Sequence, residues 1–235
     1  MRPLRIPVCL SPGDCPGFYL PANLPSDHPQ ANWLVPCACT LSRQARAIQA
    51  ELAPSLRAMT FETFRPEEGN HTALERAQQF AADPWGQGWY WLVLIGSNGR
   101  GKTHLAAAIV NALLARGEPS YFENMPELLD YLRAGYDVQS GEDFERRLAR
   151  VKEAPVLVLD DLGAEAGRHV SFDVSWAQDK VCQILDHRLV EQRPTVVTTN
   201  LPLDKLPQRI ASRLQDRRAA RVIAITTGDK RTLRA

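Results

Sequence analysis

From residue 89 onward, short apolar runs alternate with stretches that have helical periodicity. The apolar runs are WYWLVLI (89–95), PSYFEN (119–124), PVLVLD (155–160), PTVVTTN (194–200) and ARVIAIT (220–226). Runs of this length, bounded by turn residues, predict five strands. Helices are predicted between them, at about 102–115, 125–135, 142–152, 173–191 and 205–216. Continuous apolar strands separated by helices favour an α/β fold, with a five-stranded parallel sheet covered by helices on both faces.

Two further helices are predicted ahead of this alternation. The stretch SRQARAIQAELAPSLRAM (42–59) has helical periodicity, with a break expected at Pro54. A second helix is predicted over 71–82, with Asn70 or Thr72 as its N-cap.

The stretch GSNGRGKT (96–103) follows the first predicted strand and precedes a helix. It matches the phosphate-binding pattern G-x-x-x-x-G-K-[ST] in the context that this pattern requires, and it does not fit the dinucleotide pattern G-x-G-x-x-G. The glycines allow a tight turn with inward-facing N–H groups, and the helix N-terminus adds partial positive charge. Lys102 is expected to reach the β- and γ-phosphates of ATP, and Thr103 to ligate Mg²⁺. The predicted nucleotide contacts are Gly96, Ser97, Asn98, Gly99, Arg100, Gly101, Lys102, Thr103, His104 and Asp160.

Two adjacent carboxylates end the third predicted strand, in VLVLDDLG (156–163). Asp160 is expected to hold Mg²⁺ through water, and Asp161 to orient or deprotonate an attacking water. Adjacent strand residues point in opposite directions, which gives the two carboxylates separate roles. The fourth strand ends at Asn200, whose amide would face the γ-phosphate and hold the lytic water, although asparagine is also an ordinary turn residue there.

An arginine cluster follows the fourth strand, in RIASRLQDRRAAR. Its members are Arg209, Arg213, Arg217, Arg218 and Arg221. Arg213 and Arg217 are four residues apart and share a helix face. Either would serve as an arginine finger towards the γ-phosphate of a neighbouring subunit. Two alternatives stay open: the arginines bind nucleic acid, or they only solvate the helix.

Four stretches occur in one order: GSNGRGKTHLAAAI, VLVLDDLGAE, TVVTTNLPLDKL and RIASRLQDR. Together they resemble the AAA+ ATPases of the DnaC/DnaI helicase-loader and IstB branch, over about residues 45–232. The resemblance implies an ATP-controlled switch that self-associates through its AAA+ domain and loads a hexameric replicative helicase onto single-stranded DNA. Matched by position, the P-loop pair is Lys102 and Thr103, the second motif is Asp160 and Asp161, sensor 1 is Asn200, and the arginine finger is Arg217, with Arg213 next.

Two departures from the family pattern bear on activity. Many AAA+ proteins have Asp-Glu where this chain has Asp160 and Asp161, so slow hydrolysis, stimulated by DNA or helicase, is expected. The last predicted strand lies about nine residues before Ala235, and a C-terminal helical lid is not expected. Arg231 would then substitute for a sensor 2 arginine.

The segment from Met125 to Glu153 contains two predicted helices where one is usual. In the loader and initiator branch, the extra helix lines the path of single-stranded DNA. The segment carries Tyr131, Arg133, Tyr136, Arg146, Arg147 and Arg150. Aromatic and basic side chains together stack on bases and contact phosphates. Ordinary helix packing with solvated arginines is the alternative.

The front of the chain contains Cys9, Cys15, Cys37 and Cys39. Four thiolates would close a tetrahedral zinc site and hold together a proline-rich segment too short for its own core, with His28 as a spare ligand. The C-x5-C and C-x-C spacings are unusual for zinc, and four free thiols are the alternative. HPQANWLVPCAC also looks like the front of phage- and DnaI-type loaders, where a small zinc-binding unit docks on the helicase. The predicted domains are a cysteine-rich helicase-interaction unit (1–60), a linker with a helix (61–87) and the AAA+ ATPase domain (88–235).

Charge and hydropathy indicate which partners the protein could have. The net charge is +1, but residues 201–235 contain nine Lys or Arg against three Asp, which favours contact with nucleic acid or phosphate. No targeting segment or run of about 18 apolar residues occurs, so a cytoplasmic protein without a membrane partner is expected.

Three other functions are compatible with parts of the sequence. An IstB-like transposition helper would bind duplex DNA and a transposase, but IstB-type proteins lack a cysteine-rich front. A small-molecule kinase is disfavoured by the Asp160–Asp161 pair and the arginine cluster. Lys102 and Asp160 are equally compatible with an adaptor that binds nucleotide without hydrolysing it.

Overall fold

The computed structural model describes residues 15, 17–19, 35–135, 142–164 and 174–226. Its strands are β1 (Phe18–Tyr19), β2 (Val35–Pro36), β3 (Trp91–Ile95), β4 (Ser120–Asn124), β5 (Val156–Leu162), β6 (Thr195–Thr199) and β7 (Ala220–Ala224). Its α-helices are α1 (Ala38–Glu51), α2 (Pro54–Arg57), α3 (His71–Ala82), α4 (Lys102–Ala115), α5 (Met125–Ala134), α6 (Glu142–Glu153), α7 (Val174–Val190) and α8 (Gln208–Leu214). Of the residues singled out above, Cys9, His28, Tyr136 and Arg231 lie outside the described residues.

Strands β3 to β7 form one five-stranded sheet in the order β4-β5-β6-β3-β7. Each neighbouring pair runs parallel, which confirms the predicted fold class. Strand β3, which leads into the P-loop, lies between β6 and β7. Because parallel strands end at the same edge of the sheet, the residues that follow β3, β5 and β6 meet there.

Strand β3 is apolar throughout because both faces of the sheet are covered at this position. Trp91 and Val93 face one hydrophobic core, which includes residues of α5, α6, α7 and α8. Leu92 and Leu94 face the other, which includes residues of α1, α3 and α4. All four of these β3 side chains are fully buried. Within the described part of the chain, no helix is long and apolar enough to cross a membrane.

Helix α1 belongs to the core around α4. Ala45 is fully buried there, and α1 approaches the end of α4 so closely that a Cβ on Gly117 would lie 2.5 Å from Ser42 Oγ. The helix begins at Ala38, four residues ahead of its predicted start. The domain boundaries at residues 60 and 88 stay predictions, but α1 shares a hydrophobic core with the P-loop helix.

Two further helix predictions, one of a helix span and one of an N-cap, also differ from the structure. The helix predicted over 205–216 spans only Gln208–Leu214, because Pro207 holds Leu206 in an extended conformation (ψ 154°) after a 3-10 turn at Leu203–Lys205. Asn70 does precede α3, but its side chain does not cap the helix. Its Oδ1 accepts a hydrogen bond from the Glu67 backbone N–H instead (2.8 Å).

Candidate nucleotide-binding site

The loop between β3 and α4 has the geometry that the glycine spacing predicts. Gly99 and Gly101 have φ values of 75° and 90°, a region that favours glycine. A Cβ on Gly101 would also lie 2.9 Å from Phe64 Cε2, and one on Gly96 would lie 2.7 Å from the Ile225 carbonyl oxygen. The loop therefore lies between Ile225, which follows β7, and Phe64, which precedes α3. At positions 96 and 101, only glycine fits without a shift of these neighbours.

Lys102 is the first residue of α4 and is 6% exposed. Its Nζ donates a hydrogen bond to the Ser97 carbonyl oxygen (2.9 Å), so the ammonium group lies over the loop. The Arg100 guanidinium donates to Ser97 Oγ and to the Ile225 carbonyl oxygen. The positive charge of Lys102 is thus fixed beside the loop whose backbone would surround phosphate groups.

The segment ahead of α3 docks on the P-loop helix. His104 Nε2 lies 2.9 Å from the Thr60 carbonyl oxygen, and the His104 ring packs edge-on against Phe64. Further along α4, Asn111 Nδ2 donates to the carbonyl oxygens of Leu56 (2.9 Å) and Met59 (2.8 Å). The predicted role of His104 as a nucleotide contact stays a prediction, and the structure gives its side chain a packing role. Phe64 is a residue that the sequence does not predict to belong to the site, because no local pattern marks it.

Asp160, on β5, is hydrogen-bonded to the hydroxyl groups of Thr103 and Thr198. The Thr103 hydroxyl donates to both carboxylate oxygens of Asp160 at 3.2 Å, and the Thr198 hydroxyl donates to Oδ1 at 2.6 Å. Asp160 is 5% exposed. Burial raises the pKa of its carboxyl group, whereas the hydrogen bonds from Thr198 and Thr103 lower it. Hydroxyl and carboxylate oxygens facing one space are hard donors, so Thr103 and Asp160 fit a magnesium ion.

Asp161 faces Asn200. Asn200 Nδ2 donates a hydrogen bond to Asp161 Oδ1, which brings together the two side chains predicted to hold the attacking water. Asp161 has a φ of 61°, unusual for a residue other than glycine, and the β5–β6 register shifts between Leu159 and Leu162. Strand β5 therefore continues through both aspartates to Leu162, beyond its predicted end at Asp160.

The two candidate arginine fingers differ in their surroundings. Arg213 forms an ion pair with Asp186 of α7, and its Nη1 also donates to the Arg209 carbonyl oxygen. Arg217 is exposed and lines an open groove of about 640 Å³ on the β7 side of the sheet. The other residues of this groove are Leu203, Gln215, Ala220, Arg221 and Val222. Arg209 and Arg218 pair with Asp179 and Asp216.

Aromatic and basic side chains meet between α5 and α6. The Arg147 guanidinium carbon lies 4.4 Å from the centre of the Tyr131 ring, and Arg147 Nη1 donates to the Tyr131 carbonyl oxygen. Arg150 lies 5.3 Å from the ring centre of Tyr121, and Arg133 lies 5.3 Å from that of Trp176. Arg146 stays 74% exposed in its pair with Asp143.

Three of the four front cysteines meet at the start of α1. The Sγ atoms of Cys15, Cys37 and Cys39 all lie within 4.8 Å of one another. The Cys37 backbone N–H donates to the Gly17 carbonyl oxygen (2.8 Å), which ties the β1 segment to α1. Three thiol groups at this separation fit three corners of a tetrahedral zinc site, and a fourth ligand would complete it. Cys182 lies on α7 and is buried in the hydrophobic core that includes residues of α5, α6, α7 and α8.

Comparison with known proteins places this geometry in a family. The family described as "IstB-like ATP binding protein" matches residues 43–223. The replicative helicase loader DnaC of Escherichia coli (strain K12) is 28% identical over 188 residues, covering 77% of this chain and 74% of its own.

Two solved structures extend this likeness to the fold. The crystal structure of DnaI superposes with a TM-score of 0.59 at 29% identity, over 76% of this chain and 94% of that one. The crystal structure of the DnaC helicase loader superposes with a TM-score of 0.60 at 24% identity, over 74% and 100%. The five-stranded parallel sheet thus has the P-loop AAA+ fold of DnaI and DnaC.

Proposed function

The chain belongs to the family of IstB-like ATP-binding proteins, and from this premise we propose that it is an ATP-dependent loader of a replicative DNA helicase onto single-stranded DNA. The observation that carries the proposal is the similarity to the loader DnaC over about three quarters of both chains. The P-loop, the paired aspartates and the sensor asparagine all lie at one edge of the sheet, which supports a working nucleotide switch.

Five polar side chains at this edge would take part in ATP binding and hydrolysis. Lys102 would bind the β- and γ-phosphates, and Thr103 and Asp160 would hold Mg²⁺, which neutralises phosphate charge when it is bound. Asp161 and Asn200 would orient the attacking water, since their side chains are hydrogen-bonded to each other at the end of β5 and β6. Aspartate in place of the usual glutamate keeps the base further from the phosphate, which favours slow hydrolysis.

Arg217 is the arginine finger in this proposal. Its side chain is exposed beside an open groove, whereas Arg213 is paired with Asp186 of its own chain. To act as a finger, the Arg217 guanidinium must reach the γ-phosphate bound by a neighbouring subunit. The proposal therefore includes self-association of the AAA+ domain, which the family resemblance implies.

Single-stranded DNA would bind between α5 and α6. Arg146 is exposed, and the half-buried Arg147 lies on the Tyr131 ring, a combination of positive charge and an aromatic ring that suits phosphates and bases together. Arg147 covers one face of Tyr131, so a base would stack on the guanidinium plane or displace it.

The cysteine-rich unit at the front of the chain would bind the helicase. Cys15, Cys37 and Cys39 would hold zinc, with Cys9 or His28 as the fourth ligand, and the metal would order a segment rich in proline.

A helicase-binding and loading assay tests the proposal. The purified full chain is mixed with the replicative helicase of its own host, under ATP or ADP, and loading is measured as unwinding of a forked substrate whose single strand is coated with binding protein. We expect the helicase to be retained and unwinding to be stimulated. Lys102→Ala should abolish the ATP-dependent part of the stimulation. Arg76→Ala is the control and should keep it, because it removes one positive charge from α3, on the sheet face opposite α6.

The outcome also separates the main alternative. That alternative is an IstB-like transposition helper, because the matching family is described by its likeness to IstB. If the helicase passes unbound under both nucleotides, the loader proposal is wrong, and ATP-dependent binding to duplex DNA would then support the transposition helper.

A further inference from the structure

Thr198 places a hydroxyl group in the buried interior of the sheet. It lies on β6, after Val196 and Val197, and is 1% exposed. All five residues of this strand are buried, and Thr195 and Thr199 also carry hydroxyl groups. A buried hydroxyl group needs hydrogen-bond partners, because an unpaired one is costly. The partners of Thr198 therefore indicate what its side chain does.

Those partners are the two carboxylate residues of β5. Thr198 Oγ1 donates to Asp160 Oδ1 at 2.6 Å, and it accepts a hydrogen bond from the Asp161 backbone N–H at 2.9 Å. One hydroxyl group thus fixes the side chain of the first aspartate and the backbone of the second.

The contact coincides with the irregularity in the β5–β6 ladder. The register shifts between Leu159 and Leu162, and Asp161 has a φ of 61°. A strained conformation of this kind persists only where the surrounding structure holds it. The Thr198 hydroxyl group replaces the missing ladder partner of the Asp161 N–H and so helps to hold the bulge that turns the Asp161 side chain towards Asn200.

We propose that Thr198 is a positioning residue for ATP hydrolysis, which orients Asp160 towards the metal and phosphate and Asp161 towards the attacking water. The inference rests on the proposed nucleotide site. Thr198 acts through the two aspartates and does not itself touch nucleotide.

Thr198→Val tests the role, because valine keeps the shape of threonine and removes the hydroxyl group. We expect the gain in ATP affinity on adding Mg²⁺ to fall, and kcat to fall on the order of tenfold to a hundredfold, with a smaller change in KM. ATP affinity without Mg²⁺ should stay unchanged, because the P-loop contacts are intact. Thr198→Ser, which keeps the hydroxyl group, should restore both kcat and the Mg²⁺-dependent affinity.

Thr195→Val is the matched control. Thr195 lies at the opposite end of the same strand and is fully buried. Its hydroxyl group donates to the Arg193 carbonyl oxygen and accepts from Arg188 Nε (2.8 Å). Its loss should lower the unfolding temperature and leave kcat and the Mg²⁺-dependent affinity near those of the unaltered protein.

The outcomes decide the proposal. Equal kcat and equal Mg²⁺-dependent affinity in Thr198→Val and Thr195→Val would overturn the positioning role while leaving the nucleotide site in place. An unaltered protein that binds no ATP would overturn the proposed function and this inference together. If Thr198→Val does not fold, Thr198→Cys replaces it, since a thiol fills the space but is a weak donor. Cysteine and serine variants with the same kcat would then contradict the proposal.

Discussion

The guanidinium group of Arg213 is paired with the carboxylate of Asp186 in the same chain, with Nη2 and Oδ2 2.9 Å apart. This pair joins α8 to α7 and occupies one of the two arginines that the sequence offers as a finger. We therefore predict that Arg217→Ala lowers the ATPase rate of the assembled protein at least tenfold and leaves the unfolding temperature unchanged.

Arg213→Ala should behave in the opposite way. Losing a partly exposed ion pair should lower the free energy of unfolding by about 1 kcal/mol, with a smaller effect on hydrolysis. Thermal unfolding and steady-state ATPase assays on both variants measure the two effects. An Arg213→Ala protein with normal stability and no ATPase activity would reverse the assignment of the finger.

Gly101→Ala should damage the P-loop through two separate effects. Alanine at a φ of 90° costs on the order of 1–2 kcal/mol, and its Cβ would lie 2.9 Å from Phe64 Cε2. Gly88→Ala is the matched control, because Gly88 also has a positive φ (71°) but has no atom within 4 Å of the added Cβ. We expect both variants to be less stable and only Gly101→Ala to lose ATP affinity, measured by titration with a fluorescent ATP analogue. Equal ATP affinity in the two variants would contradict the idea that Phe64 shapes the loop.

The cysteine cluster should bind zinc. Cys39→Ser is expected to reduce the zinc content of the purified protein and to weaken its retention by the helicase, since it removes one of three clustered thiolates. Cys182→Ala removes a cysteine from the other side of the sheet and should leave zinc content unchanged. Metal analysis together with a helicase pull-down checks both. Zinc content near zero in the unaltered protein would favour free thiols.

Arg147→Ala should weaken binding to single-stranded DNA several-fold and reduce its dependence on salt concentration, because a phosphate contact releases counterions. Arg46→Ala removes the same charge from an exposed position on α1, which covers the opposite face of the sheet, and should have little effect. Fluorescence anisotropy of a labelled oligonucleotide at several salt concentrations measures the difference. Equal affinity losses in both variants would indicate non-specific attraction.

The parts of the site that the sequence predicts are those written in local patterns. The P-loop is recognisable because its glycines, lysine and threonine are consecutive, and Asp160 and Asn200 are recognisable because parallel strands end at one edge. No local pattern predicts the roles of Thr198 and Phe64. Thr198 contacts Asp160, 38 positions away in the sequence, and Phe64 contacts Gly101, 37 positions away. The same holds for the Arg213–Asp186 pair, which only the packing of α8 on α7 reveals.

The helices and strands divide in the same way into features that local sequence predicts and features that depend on distant contacts. Strand and helix identities follow from periodicity, and the parallel sheet follows from their alternation. The bulge at Asp161 was not predictable from an apolar run followed by two aspartates, because it is held by hydroxyl groups of the neighbouring strand. At the start of α1, the Cys37 backbone N–H and the Thr40 hydroxyl group both donate to the Gly17 carbonyl oxygen, a contact that no local pattern of apolar residues indicates.

The position of α1 has a mechanical consequence. Ala45 of α1 and Phe64, ahead of α3, both belong to the core that contains the P-loop helix α4. Neither side chain can leave α4 without exposing apolar surface to water. In the proposed loader, a movement of α1 caused by the helicase would therefore be transmitted to the P-loop helix through this core.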